Sequence, residues 1–523
     1  MRWVCSESQV RKAEAGAGVP EPVLMQRAAS GLSGACVDVL RHRRGSVRGS
    51  HVVALVGSGN NGGDALWALA RLRSRGASCV AIGDPARMHA PGAAAALAAG
   101  ARIVAWDCAE AMSALSSADL ALDGIVGIGG SGGLREPAAR AVQVLARAGV
   151  PIIAVDLPSG VDTDSGQVVG AAVRAYATVC FGLLKAGLLV GAGREHAGTV
   201  ALVEIGLAPE GEPEAWALSL PDLAVAAPAP ADHKYRRGVV GVVAGSSEFP
   251  GAALLAVGGA RRSGAGMVAF SSPGPVRQAP SSAAPSSRAP ADVLVPQLVV
   301  ARYPDVVLSP DRRVDARCVG PGLGSSRPAV EAVLAALADR CPLVIDASAL
   351  EVVGTREGRA ALAERSAAGL VSVLTPHAGE FVRLGFDPAG GVLAAAQRAA
   401  RETGAVVVHK GPGTIVAAPG GPTFVDTFGS AELATAGSGD VLAGLLAGML
   451  AGASVLGVGV AGGGVTPAQA ALVAARAVGL HGLAGRLAGA TGGPVTATDV
   501  LARLPDAHAE ARRSRVDHQM SHA

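Results

Sequence analysis

Glycine-rich loops in the first third of the chain carry side chains whose types and spacing suit binding chemistry. The first loop reads GSGNNGGD, from Gly57 to Asp64, and lies between an apolar run and a helical segment. Glycines let backbone amides approach a phosphate, and the N-terminus of the following helix favours an anion. Asn60 and Asn61 add two side-chain amides, so this loop predicts a site for a phosphate-bearing ligand.

Two further loops follow apolar strand candidates: DGIVGIGGSGG begins at Asp123, and DLPSG begins at Asp156. The carboxyl ends of parallel strands line one crevice, so we expect the polar side chains of all three loops to converge there. These side chains are Asn61, Asp123, Asp156 and Ser159. Oxygen ligands without His or Cys suit a hard cation rather than zinc. Ordinary Gly/Asp turns are the alternative, which competes for one loop but is weak for three.

The segment TAGSGD, Thr435–Asp440, opens a helix in the second half of the chain. Backbone amides at a helix N-terminus stabilise the charge on a transferring phosphoryl group. Asp440, at the end of the segment, is placed to deprotonate an attacking hydroxyl. A plain helix cap is the alternative, but Gly437 and Gly439 together with this carboxylate favour the catalytic interpretation.

The elements that must position these loops alternate between strand and helix, which predicts parallel sheets covered by helices on both faces. The first series has strands His51–Val56, Ser78–Ile82, Asp119–Asp123, Pro151–Asp156, Tyr176–Phe181 and Thr199–Ile205, and helices Ala65–Arg75 and Glu136–Ala148. After a segment rich in Pro, Glu and Ala, the second series has strands Gly238–Ala244, Met267–Phe270, Leu343–Asp346 and Ala405–His409, and helices Gly251–Arg262, Val441–Leu450 and Pro467–Leu487.

The composition argues against several classes of protein. The 523 residues are 50% hydrophobic, and the net charge of +3 is too small to indicate nucleic acid or a membrane surface as partner. The seven cysteines lie far apart without a C-x-x-C pair, which fits a reducing cytosol. The N-terminus has no apolar signal region. The uncharged stretch Val441–Ala475 is rich in Gly and Ala, which favours a buried helix over a membrane span.

Arginine replaces lysine almost throughout the chain. Of 45 Lys and Arg residues, the lysines are Lys12, Lys185, Lys234 and Lys410, and the asparagines of the chain are Asn60 and Asn61. Under such a bias we expect a surviving Lys or Asn where its substitute fails, since a planar guanidinium does not reproduce a compact ammonium. Survival by chance is the alternative, and two adjacent asparagines in one loop disfavour it.

Together the three N-terminal loops resemble the NAD(P)H-hydrate epimerase family, over roughly Met1–Pro221 and including VLMQRAA at Val23–Ala29. The resemblance implies a Rossmann-like three-layer domain in which Asp156 contacts the substrate and acts as acid/base. The implied substrate-binding residues are Asn60, Asn61, Gly62, Gly63, Asp64, Gly127, Ile128, Gly129, Gly130, Ser131, Gly132, Gly133 and Asp156. The implied ligands of a potassium ion are Asn61, Asp123 and Ser159.

Segments of the second half resemble the ADP-dependent NAD(P)H-hydrate dehydratase family, which has a ribokinase-like α/β fold, over roughly Asp232–Pro505. They are HKYRRG, GPGLG, TPHAGE, HKGPGT and the GSGD helix. The implied nucleotide-binding residues are Lys410, Gly411, Pro412, Gly413, Thr414 and Gly439, and those facing the hydrated substrate are Ala252, Gly322, His377 and Asp440. Asp440 is the implied catalytic base, and Glu380 lies where ribokinase-like enzymes arrange Mg²⁺. A lone His377 would more often be structural, but its place in TPHAGE favours a role in the site.

The chain departs from these family patterns in a few places. Ala65 follows NNGGD where glycine is usual, and the second loop is longer than a common G-T-G form. Neither change removes an implied ligand, although the second bears on the fit around the nicotinamide. In the second half, Ser348 stands where an acidic residue is common, which would slow that domain if the acid matters. Ser271–Pro290 is an inserted loop rich in Ser, Pro and Ala.

We therefore predict an α/β protein with a Rossmann-like domain at 1–221, a linker at 222–232, a ribokinase-like domain at 233–507 and a frayed polar tail at 508–523. The first domain is expected to interconvert the R and S epimers of hydrated NAD(P)H, and the second to dehydrate the S epimer at the expense of ADP. We expect K⁺ in the first domain, Mg²⁺ and ADP in the second, NADHX and NADPHX as substrates, and a cytoplasmic homo-oligomer without nucleic-acid or membrane partners.

Two rivals remain at this point. A ribokinase-like kinase for a vitamin precursor or sugar, joined to a non-catalytic nucleotide-binding module, shares the GSGD helix but explains neither the N-terminal loops nor TPHAGE. A first domain that is a catalytically silent binding module is disfavoured by the presence of Asn61, Asp123, Asp156 and Ser159.

Overall fold

The chain divides between Ala215 and Trp216 into two units. This is a computed structural model, and it describes residues 1–130, 132–273, 294–309, 312–456, 464–490 and 492–521. The division falls a few residues before the predicted domain end at 221. Trp216 pairs with Phe424 in a strand of the second unit, and Leu223 is fully buried in that unit's core. Packing therefore assigns this segment to the second unit, although its composition resembles a linker.

In chain order the first unit contains β1 (Arg2–Cys5), α1 (Glu7–Ala15), α2 (Glu21–Arg44), β2 (His51–Val56), α3 (Asn60–Ser74), β3 (Ser78–Gly83), α4 (Ala90–Ala98), β4 (Arg102–Ala105), α5 (Ala109–Ser116), β5 (Leu120–Gly124), α6 (Ala138–Arg147), β6 (Ile152–Val155), β7 (Ala177–Phe181), β8 (Leu184–Lys185), α7 (Gly191–Ala197) and β9 (Thr199–Val203).

Seven parallel strands of this unit form a sheet in the order β4-β3-β2-β5-β6-β7-β9. The direction of the order reverses at β2, and such a switch point is where open parallel sheets bind ligands. Side chains alternate between the faces of a strand. Val52 and Ala54 therefore pack with α2 and α3, whereas Val53 and Leu55 pack with α5 and α6. These three layers confirm the predicted Rossmann-like fold.

The second unit contains β10 (Ala215–Ala217), β11 (Val239–Val243), α8 (Pro250–Arg261), β12 (Met267–Ser271), α9 (Val295–Arg302), β13 (Val307–Leu308), β14 (Ala316–Val319), α10 (Arg327–Ala338), β15 (Leu343–Ile345), α11 (Ser348–Gly354), α12 (Arg356–Ala367), β16 (Ser372–Leu374), α13 (Ala378–Arg383), α14 (Val392–Thr403), β17 (Val406–His409), β18 (Ile415–Ala417), β19 (Thr423–Val425), α15 (Ser438–Leu456), α16 (Pro467–Gly489) and α17 (Ala497–Ser521). Of the predicted inserted loop, residues 274–290 lie outside the described part of the chain.

The sheet of the second unit runs in the order β13-β12-β11-β14-β15-β16-β17-β18-β19-β10. Neighbours from β13 to β17 are parallel, and β18 is antiparallel to both β17 and β19. One face packs with α8, α15 and α16, and the other packs with α10, α11 and α12. The carboxyl ends of β11, β14, β15, β16 and β17 therefore meet at one edge, as the alternating pattern predicted.

Helix α15 contains the stretch weighed above as a membrane span. Its window Ser438–Val455 is long and apolar enough to cross a bilayer, yet most of it is buried inside the unit. Leu445, Leu446 and Leu450 are fully buried in the main core. This is the packing expected of a buried core helix.

The prediction of a frayed tail from residue 508 was wrong, because α17 continues as a helix to Ser521. Leu504, Ala507 and Ala511 recur at helical spacing and are fully buried in the core of the second unit. The overall composition of this segment is polar, but Ala511 lies on the inner face, whereas Val516, further along the helix, is 54% exposed.

Candidate active sites

The backbone of the loop between β2 and α3 packs directly against the backbone of the loop after β5. A Cβ atom at Gly57 would lie 1.9 Å from the carbonyl oxygen of Ile125, so only glycine allows this approach. Helix α3 begins at Asn60, so the two asparagines form its first turn rather than the loop before it. Asn61 Nδ2 donates to the carbonyl oxygen of Val155 at 2.6 Å, which ties α3 to the end of β6.

Asp123, on β5, and Ser159, in the loop after β6, bind each other directly. Asp123 Oδ1 accepts a hydrogen bond from Ser159 Oγ at 2.6 Å, and Oδ2 accepts one from the Ser159 amide at 2.8 Å. Ser159 Oγ accepts from the amide of Val126 at 3.0 Å, and Asn61 Nδ2 donates to the Val126 carbonyl at 3.5 Å. The three residues predicted as cation ligands thus meet around one loop.

The chemistry of this group fits a hard cation. Burial raises the pKa of Asp123 to about 6, against the opposing effect of its hydrogen bonds from Ser159. A nearby positive charge would favour the ionised carboxylate. In the described part of the chain, no group of three or more His, Cys, Asp or Glu side chains is arranged to hold a metal ion. A cation here would therefore also need the amide oxygen of Asn61 and the hydroxyl of Ser159.

Asp156, at the end of β6, is paired with a lysine that the motif analysis did not assign to the site. Its Oδ1 atom accepts from Lys185 Nζ at 2.5 Å and from the amide of Phe181 at 2.9 Å. Burial is the largest single influence on the pKa of Lys185 and lowers it, but the charges and hydrogen bonds of Asp156 and Cys180 together outweigh burial, so the net shift is upward. Asp156 adopts a φ of 69°, the left-handed region, which is uncommon outside glycine and clusters at functional sites.

Asp64 is a second buried carboxyl group near Asp156. Burial and the negative charges of Asp156 and Glu14 raise the pKa of Asp64 well above its ordinary value. Its buried Oδ1 atom has no hydrogen-bond partner among the described residues. This upward shift of the pKa eases protonation of Asp64, so a proton can be held beside the Asp156–Lys185 pair.

A cavity of about 350 Å³ opens at the carboxyl ends of β2, β3, β4, β5 and β6. Of the residues predicted to bind substrate, it is lined by Gly127, Gly130, Gly132 and Gly133, and Ser159 of the cation group also lines it. Asn60, Asp64 and Asp156 are not part of its lining, so the predicted substrate residues do not all share one surface. Asn60 donates to Glu21 Oε1 at 2.7 Å. Gly62 and Gly63 are buried on α3, and Ser131 lies outside the described residues.

In the second unit, three predicted motifs meet around Asp346. Its Oδ1 atom accepts from Lys410 Nζ at 2.8 Å and from Thr375 Oγ1 at 2.7 Å. A Cβ atom at Gly439 would lie 3.3 Å from Lys410 Nζ, so this lysine contacts the N-terminus of α15. Burial is the largest single influence on the pKa of Lys410 and lowers it, but Asp346, Glu380 and Asp440 together outweigh burial and raise the pKa overall. Lys410 therefore presents a fixed positive charge at the anion-binding end of the helix.

Asp440, in the first turn of α15, has the proton affinity of a general base. Burial is the main reason that its pKa is raised to about 7. Asp346 and Glu380 raise it further, and Lys410 lowers it. A base whose pKa lies near neutral pH combines availability with proton-accepting strength.

His377 has a structural task in addition to the predicted one. Its Nδ1 atom accepts from the amides of Gly379 at 3.0 Å and Glu380 at 3.4 Å, so it caps α13. Its side chain is 53% exposed, which leaves part of the ring accessible.

Ala252 and Gly322, two further residues predicted to face the substrate, are adjacent. A Cβ atom at Gly322 would lie 2.5 Å from the Cβ atom of Ala252.

The predicted nucleotide loop after β17 and the departure at Ser348 also have clear places. In the loop, Thr414 Oγ1 lies 3.2 Å from the carbonyl oxygen of Gly411, and Gly413 adopts a φ of 68°. Ser348 Oγ accepts from the amide of Gly324 at 3.1 Å. Ser348 thus supports the GPGLG loop through this hydrogen bond, at the position where an acidic residue is common in the family.

Two functional candidates, Lys185 and Asp346, were not assigned from motifs. Lys185 is one of the rare lysines, a signal that pointed to it without naming its partner. Asp346 ends an apolar strand candidate, like Asp123 and Asp156. The rule that strand ends line the crevice would have identified it.

The first unit is of Rossmann type and holds a cluster of oxygen-bearing side chains. The second is an α/β unit with a lysine at a helix N-terminus. Together they define a two-domain enzyme acting on nucleotides. Residues 240–506 match the family model described as NAD(P)H-hydrate dehydratase, and residues 21–187 match the one described as YjeF-related protein N-terminus. A bifunctional NAD(P)H-hydrate repair enzyme of Mycobacterium leprae is 40% identical over 466 residues, covering 86% of this chain and 89% of that protein. One from Synechocystis is 34% identical and covers 76% of each.

Among solved structures, the ADP/ATP-dependent NAD(P)H-hydrate dehydratase of Bacillus subtilis, co-crystallised with ATP and Mg²⁺, is 26% identical. The likeness covers 56% of this chain and 96% of that one, with a TM-score of 0.43. The chain belongs to the family of bifunctional NAD(P)H-hydrate repair enzymes. Its two matched segments correspond to the epimerase and dehydratase activities of that family, and its second domain has the predicted α/β architecture with a mainly parallel sheet.

Proposed function

We propose that the unit ending at Ala215 carries out the epimerisation and that the unit beginning at Trp216 carries out the dehydration. The observation that carries this proposal is the presence of two separate groups of functional side chains. Asp123, Asp156 and Ser159 meet in the first unit, and Asp346, Lys410 and Asp440 meet in the second. Each group includes a carboxylate that can take part in its own proposed reaction.

Epimerisation at a carbon that bears a hydroxyl group and the ring nitrogen needs movement of a proton. A proton donated to the hydroxyl oxygen lets the C–O bond break as water leaves, while the nitrogen lone pair forms a C=N bond. Water then adds to the opposite face and returns its proton to the acid/base. We assign Asp156 to this proton transfer: in its protonated form it donates to the hydroxyl oxygen, and as the carboxylate it takes the proton back from the added water. Lys185 orients its carboxylate, and Asp64 supplies a second buried carboxyl group.

We assign Asn61, Asp123 and Ser159 as ligands of a bound K⁺ ion. Bound there, K⁺ would supply a positive charge that stabilises the ionised form of Asp123 and holds the three loops together. The convergence of these residues on the loop at Val126 supports this assignment. Gly127, Gly130, Gly132 and Gly133 would then form part of the wall of the substrate cavity.

In the second unit, Asp440 removes the proton from the hydroxyl of the S epimer. The hydroxyl oxygen then bonds to the terminal phosphorus of ADP, and AMP leaves with the electrons of the broken P–O bond. Phosphate then leaves the ring carbon that carried the hydroxyl group, and a proton leaves the neighbouring carbon. This elimination restores the double bond of NAD(P)H. Lys410 and the N-terminus of α15 hold the phosphates. Mg²⁺ would neutralise phosphate charge near Glu380, which with Asp346 and Asp440 surrounds Lys410 with carboxylates.

The direct test supplies the full chain with a mixture of both epimers, ADP and Mg²⁺ and follows the recovery of dihydronicotinamide absorbance. Wild-type protein should recover both epimers. Asp156→Asn should recover the S fraction promptly and leave R at its uncatalysed rate, and Asp440→Asn should recover neither. A stable phosphorylated product instead of NAD(P)H would support the kinase alternative. Full recovery by Asp156→Asn would remove the epimerase assignment.

A cytoplasmic location fits the free cysteines, five of which are buried, and the packing of α15 inside its unit. The expectation of a homo-oligomer stays a prediction, which the mass of the native particle in solution would test.

A further inference from the structure

We propose that Asp84 and Arg87 face the 2′ position of the adenosine ribose in the first unit and set its preference between hydrated NADH and hydrated NADPH. This inference rests on the proposed epimerase function and names the specificity of that site. Neither residue belongs to the glycine-rich loops or to the cation group.

The topology places these two residues beside the phosphate loop. Val56, at the end of β2, pairs with Gly83, at the end of β3, so Gly57 and Asp84 leave the sheet side by side. In dinucleotide-binding Rossmann sheets the strand next to the phosphate loop ends at the adenosine ribose. There an acidic residue binds the 2′-hydroxyl, or an arginine accommodates the 2′-phosphate.

The same cavity joins these residues to the phosphate loop and to the cation group. Its lining includes Asp84 and Arg87 together with Gly57 of the phosphate loop and Ser159 of the cation group. Trp106, directly after β4, also lines the cavity and is half-buried, so its ring offers a stacking surface to an adenine. A dinucleotide with its nicotinamide toward β5 and β6 would therefore extend its adenosine half toward β3 and β4.

The two charges are available to a ligand. Asp84 Oδ1 accepts a hydrogen bond from the amide of Ala86 at 3.1 Å, which fixes the side chain in its turn and leaves Oδ2 free to accept a ribose hydroxyl. The side chain of Arg87 is exposed and makes no ion pair or hydrogen bond with the described residues, whereas its backbone amide donates to the carbonyl oxygen of Asp84 at 3.0 Å. A 2′-phosphate would be attracted by Arg87 and repelled by Asp84, whereas a 2′-hydroxyl would donate to Asp84.

The test measures kcat/KM for epimerisation of hydrated NADH and hydrated NADPH by the full chain, with the epimers separated chromatographically. Arg87→Gln should lower the value for hydrated NADPH roughly tenfold or more through KM, because it removes a charge-assisted contact, and should leave hydrated NADH within about twofold. Asp84→Asn should change the ratio in the opposite direction, toward hydrated NADPH. Arg147→Gln, at an exposed arginine at the end of α6, is the matched control and should change neither value.

An unchanged ratio in both variants, with normal wild-type epimerisation, would overturn this inference and leave the proposed function intact. Equal losses on both substrates would also overturn it, since they indicate a structural role. A wild-type chain that interconverts the epimers of neither hydrate would overturn the proposed function and this inference with it.

Discussion

Lys185 and Asp156 form an ion pair that is almost closed to solvent, with side chains 1% and 10% exposed. The ammonium of Lys185 also donates to the carbonyl oxygen of Phe181 at 3.0 Å. Removing one partner of such a pair leaves the other charge buried without compensation, which is far more costly than losing a surface pair. The pair therefore links the stability of the first unit to the position of its proposed acid/base.

Lys185→Met should destabilise the first unit by about 3–5 kcal/mol and abolish epimerisation. The reason is that Asp156 would keep its buried charge and lose its orienting partner. Denaturant unfolding and epimer interconversion measure the two effects. Lys12→Met, at an exposed lysine of α1, is the control. Wild-type stability and epimerisation in Lys185→Met would contradict the role of the pair.

Asp440→Asn should reduce dehydration of the pure S epimer by roughly 10²–10⁴-fold while epimerisation continues, because an amide cannot accept the hydroxyl proton. The measurement is recovery of NAD(P)H with ADP in excess. Asp506→Asn makes the same exchange at an exposed position of α17 and should have no effect. Unchanged turnover in Asp440→Asn would require another base.

The pH dependence of dehydration should follow the same carboxylate. Asp440 acts as a base when deprotonated, and its pKa is about 7, so kcat/KM should rise with pH and level off above about 7. Asp346→Asn removes a negative charge that raises this pKa, and should therefore move the midpoint to lower pH. A midpoint that stays in place in Asp346→Asn, with a normal thermal melt, would show that another group controls the profile.

Lys410→Arg should raise the Michaelis constant for ADP without unfolding the second unit. A guanidinium can still pair with Asp346, but its planar shape would displace the phosphates at Gly439. Lys12→Arg makes the same substitution in the first unit and serves as the control, so it should leave the Michaelis constant for ADP unchanged. If the constant for ADP is the same in Lys410→Arg and wild type, the lysine does not contact the nucleotide.

Replacing K⁺ by a bulky organic cation at constant ionic strength should lower the melting temperature of the first unit. The shift is expected because a ligand that binds the folded state stabilises it. Asp123→Asn should abolish the dependence on K⁺, whereas Asp107→Asn, at an exposed aspartate, should retain it. An equal response to K⁺ in wild type and Asp123→Asn would place any cation elsewhere.

The convergence of the three N-terminal loops was predictable because strand ends in parallel sheets obey a simple rule. Apolar runs that end in Asp, as at Asp123 and Asp156, identified the crevice without any knowledge of contacts. The same rule applied to Leu343–Asp346 would have identified Asp346. The contact between Asp346 and Lys410 was not predictable from spacing. These residues are 64 positions apart in the chain, and the order of the strands in the sheet brings them together.

Local signals misled the sequence interpretation where packing opposes composition. The asparagines looked like part of a loop because of the surrounding glycines, yet they open α3. The segment after residue 508 looked frayed because it is polar, yet Ala511 is fully buried. Lys185 lay outside every motif, and its importance comes from a tertiary contact with Asp156.

The positive φ of Asp156 limits which acid this position can hold. Among residues other than glycine, Asp and Asn enter the left-handed region most readily, because their short polar side chains can bond to nearby backbone groups. Glutamate would keep the charge but oppose the backbone, and its extra methylene would have to fit between Lys185 and the amide of Phe181. The backbone conformation therefore disfavours Asp156→Glu, the substitution that is usually considered most conservative for an aspartate. Asp156→Asn removes the negative charge of the side chain and keeps its size and shape, so it tests the charge alone.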